Sequence, residues 1–321
     1  MTSVPIRWRA TKRFREGLVM RSSCVVRREG CRGLPMFVLC VAALVGPPPL
    51  AGQSLNVLLT NDDGVEAPGI AALRRVLLDA GHRVTVVAPL ENQSGVGSAV
   101  TTSGTIDYES RGDGMWAVDG TPSDAVALAL VHVMRSNPPD LVISGANLGQ
   151  NVGASLVSSG TVGAALSAAR AGVPAIALSV AIDPRQAEGP TAYAGTRDAL
   201  GPASEFVVEV VRQLAETGGE GLLPPRVILN VNYPAVGSDA PDGVRFATVS
   251  SLRGFRQVFS VSGQGGPARV EMALANADRA EAGSDLALLG AGFVTISVLD
   301  GDLDAGQVSW EPLLERLIIE R

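Results

Sequence analysis

Lysine is almost missing from this chain of 321 residues, with Lys12 the only one. A phosphate-cradling loop that ends in lysine is therefore excluded. Histidine is nearly as scarce, at two residues. His82 follows a helix-stopping glycine at the start of a strand, and His132 lies within a helix, so both read as structural and argue against a Ser-His-Asp triad. The three cysteines, Cys24, Cys31 and Cys40, all precede residue 41. The rest of the chain has no disulfide, no thiol nucleophile and no cysteine-held metal. No Gly-x-Gly-x-x-Gly follows the first strand-like segment, which argues against a dinucleotide-binding fold. No internal repeat is present.

Acidic groups outnumber basic ones, 32 to 26, but unevenly. Residues 1–33 carry nine basic and two acidic side chains, leaving a net charge of −13 on the remainder. An acidic body argues against binding a nucleic-acid polymer, which needs a basic stripe. The basic segment leads into an apolar run at 34–45, then Gly46 and three prolines. This is the layout of a secretory signal cleaved near residues 51–53, and it is shorter than the ~20 residues of a membrane span. Neither cleavage position fits the small-x-small rule well, and a start at Met20 would give a more usual leader. Cys40 lacks the small residue that precedes a lipidated cysteine. Residues 1–52 therefore read as an N-terminal leader, either a signal peptide or a disordered extension, and residues 53–321 as the folded domain.

Within the domain, strand-like and helix-like segments alternate. Leu55-Asn56-Val57-Leu58-Leu59 is short, apolar and β-leaning, the pattern of a buried parallel strand. Pro68 starts a helix with Ile70, Leu73, Val76 and Leu77 at helical spacing, and Gly81 stops it. Strands follow at 82–89, 116–118, 139–145, 173–179 and 227–232. Helices are expected at 123–134, 161–171 and 203–217, with a surface loop at about 183–201. The alternation predicts an α/β fold: a Rossmann-like, doubly wound, mostly parallel sheet in three α/β/α layers. The core would span about 55–235. Residues 244–275 alternate residue by residue as an antiparallel hairpin would, Phe293–Leu299 reads as a last strand, and Trp310–Ile319 as a terminal helix. The segment from about 240 to 321 would form an arm whose open strand edges a partner subunit covers.

Open α/β sheets bind ligands beyond the carboxyl ends of their strands. Thr60-Asn61-Asp62-Asp63-Gly64 lies there, after the first strand. Adjacent aspartates repel unless a cation holds them, although a solvated turn is the alternative at this stage. Four further segments fall on the same edge: 88–95, 120–124, 144–151 and 158–163. Together they supply Ser94 and Asn147 as neutral oxygen ligands beside Asp62 and Asp63. An all-oxygen set suits Mg²⁺, Mn²⁺ or Ca²⁺ better than Zn²⁺. The helix start at Ser159-Gly160-Thr161 offers N–H groups and a positive dipole end for a phosphate. A cation and an anion pocket on one edge suit metal-assisted phosphoester hydrolysis. The adjacent aspartates differ from the Asp-x-Asp of haloacid-dehalogenase phosphatases.

Several segments taken in order resemble the SurE family of survival proteins. They are Thr60-Asn61-Asp62-Asp63-Gly64 with Ala67-Pro68-Gly69, Val86-Val87-Ala88-Pro89 with Asn92-Gln93-Ser94-Gly95, Gly120-Thr121-Pro122, Ser144-Gly145-x-Asn147 with Gly149 and Asn151, and Ser159-Gly160-Thr161-Val162-Gly163-Ala164-Ala165. Leu229-Asn230-Val231-Asn232 and Gly292-Phe293-Val294-Thr295 fit later strands, so the resemblance covers about residues 55–319. It implies a metal-dependent 5′/3′-nucleotidase, with acid-phosphatase or exopolyphosphatase activity in some members. It places one divalent cation per subunit (Mg²⁺ or Mn²⁺) on Asp62, Asp63, Ser94 and Asn147, and puts Asn92 and Ser159-Gly160-Thr161 against the phosphate. Asp62 and Asp63 would be the catalytic residues. It also implies a homodimer or homotetramer built through exchanged C-terminal arms. Two positions depart from the family pattern: Ala154-Ser155 stand where an acidic pair is common, and Ser158 where a tyrosine is. Most members are cytoplasmic, so the leader is a third departure: as a signal peptide it would make this an exported or periplasmic form, and otherwise the protein would be cytoplasmic as is usual for the family. The expected substrate is a nucleoside monophosphate or another small phosphoester. The alternatives are an exported broad-specificity phosphatase or exopolyphosphatase, and a non-catalytic nucleotide-binding module on the same fold.

Overall fold

In a computed structural model, residues 54–183, 193–217, 221–235 and 240–301 are described. The proposed leader and the terminal helix expected at 310–319 lie outside the described residues.

The first half of the domain runs β1 (Asn56–Thr60), α1 (Pro68–Asp79), β2 (Arg83–Pro89), β3 (Tyr108–Gly112), β4 (Met115–Val118) and α2 (Pro122–Leu128). The second half continues with β5 (Leu141–Leu148), α3 (Gly160–Arg170), β6 (Ala175–Val180), α4 (Ala194–Asp198), α5 (Leu200–Thr217) and β7 (Ile228–Tyr233). Beyond it lie β8 (Val244–Phe246), β9 (Phe255–Val261), β10 (Ala268–Leu274), α6 (Asp285–Gly290) and β11 (Val294–Leu299).

Nine strands of the described residues form one sheet in the order β3-β4-β2-β1-β5-β6-β7-β11-β8. From β4 to β7 every neighbour pairs in parallel. β11 runs antiparallel to β7, and β3 antiparallel to β4. The chain builds outward from β1 to one side and then returns to lay β5 on the other. The boundary between β1 and β5 is therefore the topological switch point, where ligands bind in open α/β sheets.

Side chains alternate across the sheet and bury on both faces. Val57 and Leu59 join Ile70, Leu73 and Leu77 of α1 and Val207 and Val211 of α5 in one core. Leu58 points the other way, into a core with Val126 of α2 and Val162 and Ala165 of α3. This is the three-layer α/β/α arrangement read from the sequence. Helix α1 comes very close to β5: a Cβ on Gly69 would lie 1.8 Å from the Ala146 carbonyl oxygen. Only glycine allows that approach.

Four details differ from the sequence reading. Residues 244–246 pair in parallel with β11 inside the main sheet, so the antiparallel hairpin is limited to β9 and β10. Strand β3 was not anticipated, because its Tyr-Glu-Ser-Arg-Gly sequence is exposed throughout and carries no apolar alternation. The single helix expected at 123–134 ends at Leu128 and passes into a π-turn over Ala129–Val133. The expected surface loop at 183–201 contains α4.

Candidate active site

Asp62 and Asp63 leave the carboxyl end of β1 in a closed turn. The Asn61 amide clamps it, donating to the Gly64 carbonyl at 2.8 Å and accepting the Gly64 N–H at 3.3 Å. The consecutive aspartates then turn to different elements. Asp62 is buried, and its Oδ1 accepts the Thr161 hydroxyl at 2.7 Å. Asp63 is half-buried, and its Oδ2 accepts the Leu148 N–H at the end of β5 at 3.1 Å. Between them the two side chains span the switch point.

The loop after β2 closes over the same place. Its Gln93 N–H donates to the Asp62 carbonyl at 2.7 Å, which carries Asn92 and Ser94 to the β1 turn. Asn92 Oδ1 accepts the Ser94 N–H at 2.9 Å, and both residues are exposed. Gly97 of this loop donates to the Ser158 carbonyl at 3.1 Å, just before α3. The segment at 120–124 serves this loop structurally. Thr121 and Asp124 form a capping box at the start of α2, and Asp124 also accepts the Thr101 N–H and hydroxyl.

Asn147 sits beyond a break in the β5–β6 register, with its Nδ2 on the Gly149 carbonyl at 2.6 Å. That bond leaves the amide oxygen as the group free to meet a cation. Helix α3 begins against Asp62: a Cβ on Gly160 would lie 2.7 Å from the Asp62 Cβ and 2.8 Å from its Oδ2. The Ser159 hydroxyl caps the helix by accepting the Val162 N–H at 3.1 Å. The Thr161 proton is thus committed to Asp62, while Ser159 Oγ accepts the Val162 N–H and keeps its own proton. Asp62 meets Gly160 and Thr161, Asp63 is tied to Leu148 beside Asn147, and Gln93, between Asn92 and Ser94, is bonded to the Asp62 backbone.

Burial pushes the Asp62 carboxyl up to about 6, the neighbouring Asp63 adds to the rise, and hydrogen bonding from Thr161 opposes it. Burial also raises Asp63, against the Leu148 N–H. No arginine among the described residues pairs with either carboxylate. Two adjacent, desolvated carboxylates without a basic partner fit a hard divalent cation. No group of three or more His, Cys, Asp and Glu able to hold a metal occurs among the described residues, so neutral oxygens must complete such a set.

Sequence reasoning missed the residues behind Thr161. Asn151 Nδ2 donates to Thr161 Oγ1 at 3.2 Å and to Ser179 Oγ at 2.9 Å. Asn230 and Asn232 of β7 hold the Asn151 backbone. The available signal was the polar alternation of Leu229-Asn230-Val231-Asn232 within a strand that must be buried. At the positions departing from the family pattern, Ser155 Oγ accepts the Phe255 N–H at 3.3 Å and Ser158 donates to the Ser155 carbonyl at 2.9 Å. A separate concavity at the base of the β9–β10 hairpin, lined by Arg253, Phe255, Arg256 and Arg279, contains none of the candidate residues.

The sequence model of the family described as survival protein SurE matches residues 57–254. A 5′-nucleotidase SurE 1 from Burkholderia lata is 38% identical over 250 residues, covering 76% of this chain and 90% of the relative. A 5′-nucleotidase SurE from Rhizorhabdus wittichii is 39% identical over 191 residues, covering 60% of this chain and 71% of the relative. The crystal structure of the SurE protein from Aquifex aeolicus superposes with a TM-score of 0.66 at 29% identity, covering 81% of this chain and 98% of that one. With the strand order, the β1 turn and the start of α3 all in place, the chain belongs to the SurE survival-protein family.

Proposed function

We propose that this protein is a metal-dependent phosphomonoesterase that hydrolyses nucleoside 5′- and 3′-monophosphates to nucleoside and phosphate. The observation that carries the reading is the meeting of Asp62 and Asp63 with the start of α3 at the switch point. The 5′-nucleotidase names of the relatives support the same activity.

With one oxygen of each aspartate already engaged, Asp62 Oδ2 and Asp63 Oδ1 remain, and with Ser94 Oγ and Asn147 Oδ1 they would hold Mg²⁺ or Mn²⁺. When bound, the cation supplies charge stabilisation at the phosphoryl group and a lowered pKa for water. Asn92, the Gly160 N–H and the Ser159 hydroxyl would orient the phosphate, since Ser159 Oγ accepts the Val162 N–H and keeps its own proton, while the Thr161 proton goes to Asp62; the helix dipole favours an anion at that end. Asp63 is the more open of the two carboxylates, half-buried where Asp62 is buried.

The test is phosphate release from AMP, GMP, 3′-AMP, p-nitrophenyl phosphate and short polyphosphate. Activity should vanish in EDTA and return with Mg²⁺ or Mn²⁺. Undiminished release in EDTA would sink the metal reading, and nucleotide binding without release from any substrate would make the protein a binding module.

The β9–β10 ribbon supports an oligomer in which a partner subunit covers it. Phe259, Val261, Val270 and Met272 are all exposed along it, and an isolated two-stranded ribbon is marginal in water. Sedimentation should show a dimer or tetramer, with a monomer overturning the reading. N-terminal sequencing of the expressed protein decides export: cleavage near residues 51–53 supports it, and an intact N-terminus refutes it.

A further inference from the structure

Asn232 is fully buried on β7, in register with Ser179 on β6 and Thr295 on β11. Its amide brackets the Asn151 backbone. Oδ1 accepts the Asn151 N–H at 2.8 Å, and Nδ2 donates to the Asn151 carbonyl at 2.9 Å. The Asn230 amide donates to that carbonyl as well, at 2.9 Å. Held in this way, Asn151 directs its own amide at Ser179 and Thr161. A threonine hydroxyl has a single proton. Because Asn151 donates to Thr161 Oγ1, that proton is turned toward Asp62 Oδ1.

We infer that Asn232 is a positioning residue that fixes the orientation of Asp62 through Asn151 and Thr161. The inference rests on the reading of Asp62 as a metal ligand. An apolar residue at 232 would leave the buried Asn151 N–H without a partner, so part of the role of Asn232 is to satisfy that backbone. What the amide adds is direction: the bracket sets Asn151, Asn151 sets the hydroxyl, and the hydroxyl occupies Asp62 Oδ1, leaving Oδ2 as the oxygen with no side-chain donor. Partners behind metal ligands typically change affinity or turnover by about 10- to 100-fold.

The test measures the Mn²⁺ dissociation constant by electron paramagnetic resonance, kcat and KM for AMP, and Tm, in Asn232→Ala, Thr161→Val, Thr161→Ser and the Asn232→Ala/Thr161→Val double variant. Thr161→Val should weaken Mn²⁺ binding and lower kcat about 10- to 100-fold with KM little changed, and Thr161→Ser should restore most of both. Asn232→Ala should lower the same two quantities in the wild-type background. In the Thr161→Val background it should change them less than about twofold, while lowering Tm equally in both. Independent, additive effects on Mn²⁺ affinity would overturn the inference. If Asn232→Ala does not fold, Asn151→Leu replaces it in the same cycle with the same expectations. A wild-type protein that hydrolyses AMP without binding Mn²⁺ or Mg²⁺ would overturn the metal reading itself and this inference with it.

Discussion

The Thr161 hydroxyl reaches Asp62 Oδ1 at 2.7 Å, so the first turn of α3 and the carboxyl end of β1 meet at one carboxylate. Burial lifts the pKa of that carboxyl to about 6 even with this bond in place. The protein therefore holds a charge at neutral pH that its own fold disfavours.

Asp62→Asn should abolish phosphate release and stabilise the metal-free protein. The amide keeps an oxygen for Thr161 and removes the buried charge. A shift of about two pKa units corresponds to at most about 3 kcal/mol, or a rise of a few degrees in Tm for a domain of this size. Calorimetry in EDTA checks it, and a clear fall in Tm would contradict the account.

The pH dependence has a definite sign. A carboxyl whose folded pKa lies above its unfolded value favours folding when protonated, so its contribution is greatest below the ordinary aspartate value of 3.8 and is lost as pH rises through about 6. In EDTA, the Tm of wild type minus that of Asp62→Asn should fall between about pH 4.5 and pH 7. Saturating Mn²⁺ should raise the wild-type Tm more at the upper end, because the cation binds the ionised form. A flat difference in EDTA would remove Asp62 as the source.

Gly160→Ala should damage the site more than the helix. The new methyl would meet Asp62 Cβ at 2.7 Å and Oδ2 at 2.8 Å. Overpacking of this kind costs about 1–3 kcal/mol and would displace the carboxylate. Gly201→Ala is the control: nothing lies within 4 Å of its added Cβ, and activity should be unchanged. Mn²⁺ affinity and turnover distinguish the two, and a fully active Gly160→Ala protein would refute the close approach.

Asp285 ties the segment before β9 to the loop that carries Asn151. It is fully buried; its Oδ2 accepts the Gly153 N–H at 2.9 Å, and its Oδ1 accepts the N–H groups of Ser250 at 2.9 Å and Leu286 at 2.7 Å. Asp285→Ala strands three buried donors, each worth about 1–3 kcal/mol. Chemical denaturation should show a loss above about 3 kcal/mol, with Asp285→Asn intermediate, and a loss below about 1 kcal/mol would rule out the clamp.

The parallel strands were legible because continuous apolar runs bounded by turn residues leave few alternatives. The position of Asp62 and Asp63 followed from the end of β1. Strand β3 is not legible in the sequence because Tyr108–Gly112 is exposed along its whole length, and only its pairing with β4 makes it a strand. The alternation at Val244 and Phe246 marks a half-buried strand but not its neighbour, which is β11 and not the hairpin. The chemistry of the Ser159-Gly160-Thr161 turn was visible, but the direction of the Thr161 hydroxyl depends on Asp62 and Asn151, which local sequence does not encode.

The two anchors of the acidic pair lie far off in the chain, Leu148 at 85 positions from Asp63 and Thr161 at 99 from Asp62. Both belong to the β5–α3 unit laid down after the chain returns across β1. A folding intermediate holding only β1 to β4 would have the aspartates but nothing to aim them. High-affinity cation binding should therefore arise late in refolding, as a reporter that the two halves have docked in the right order.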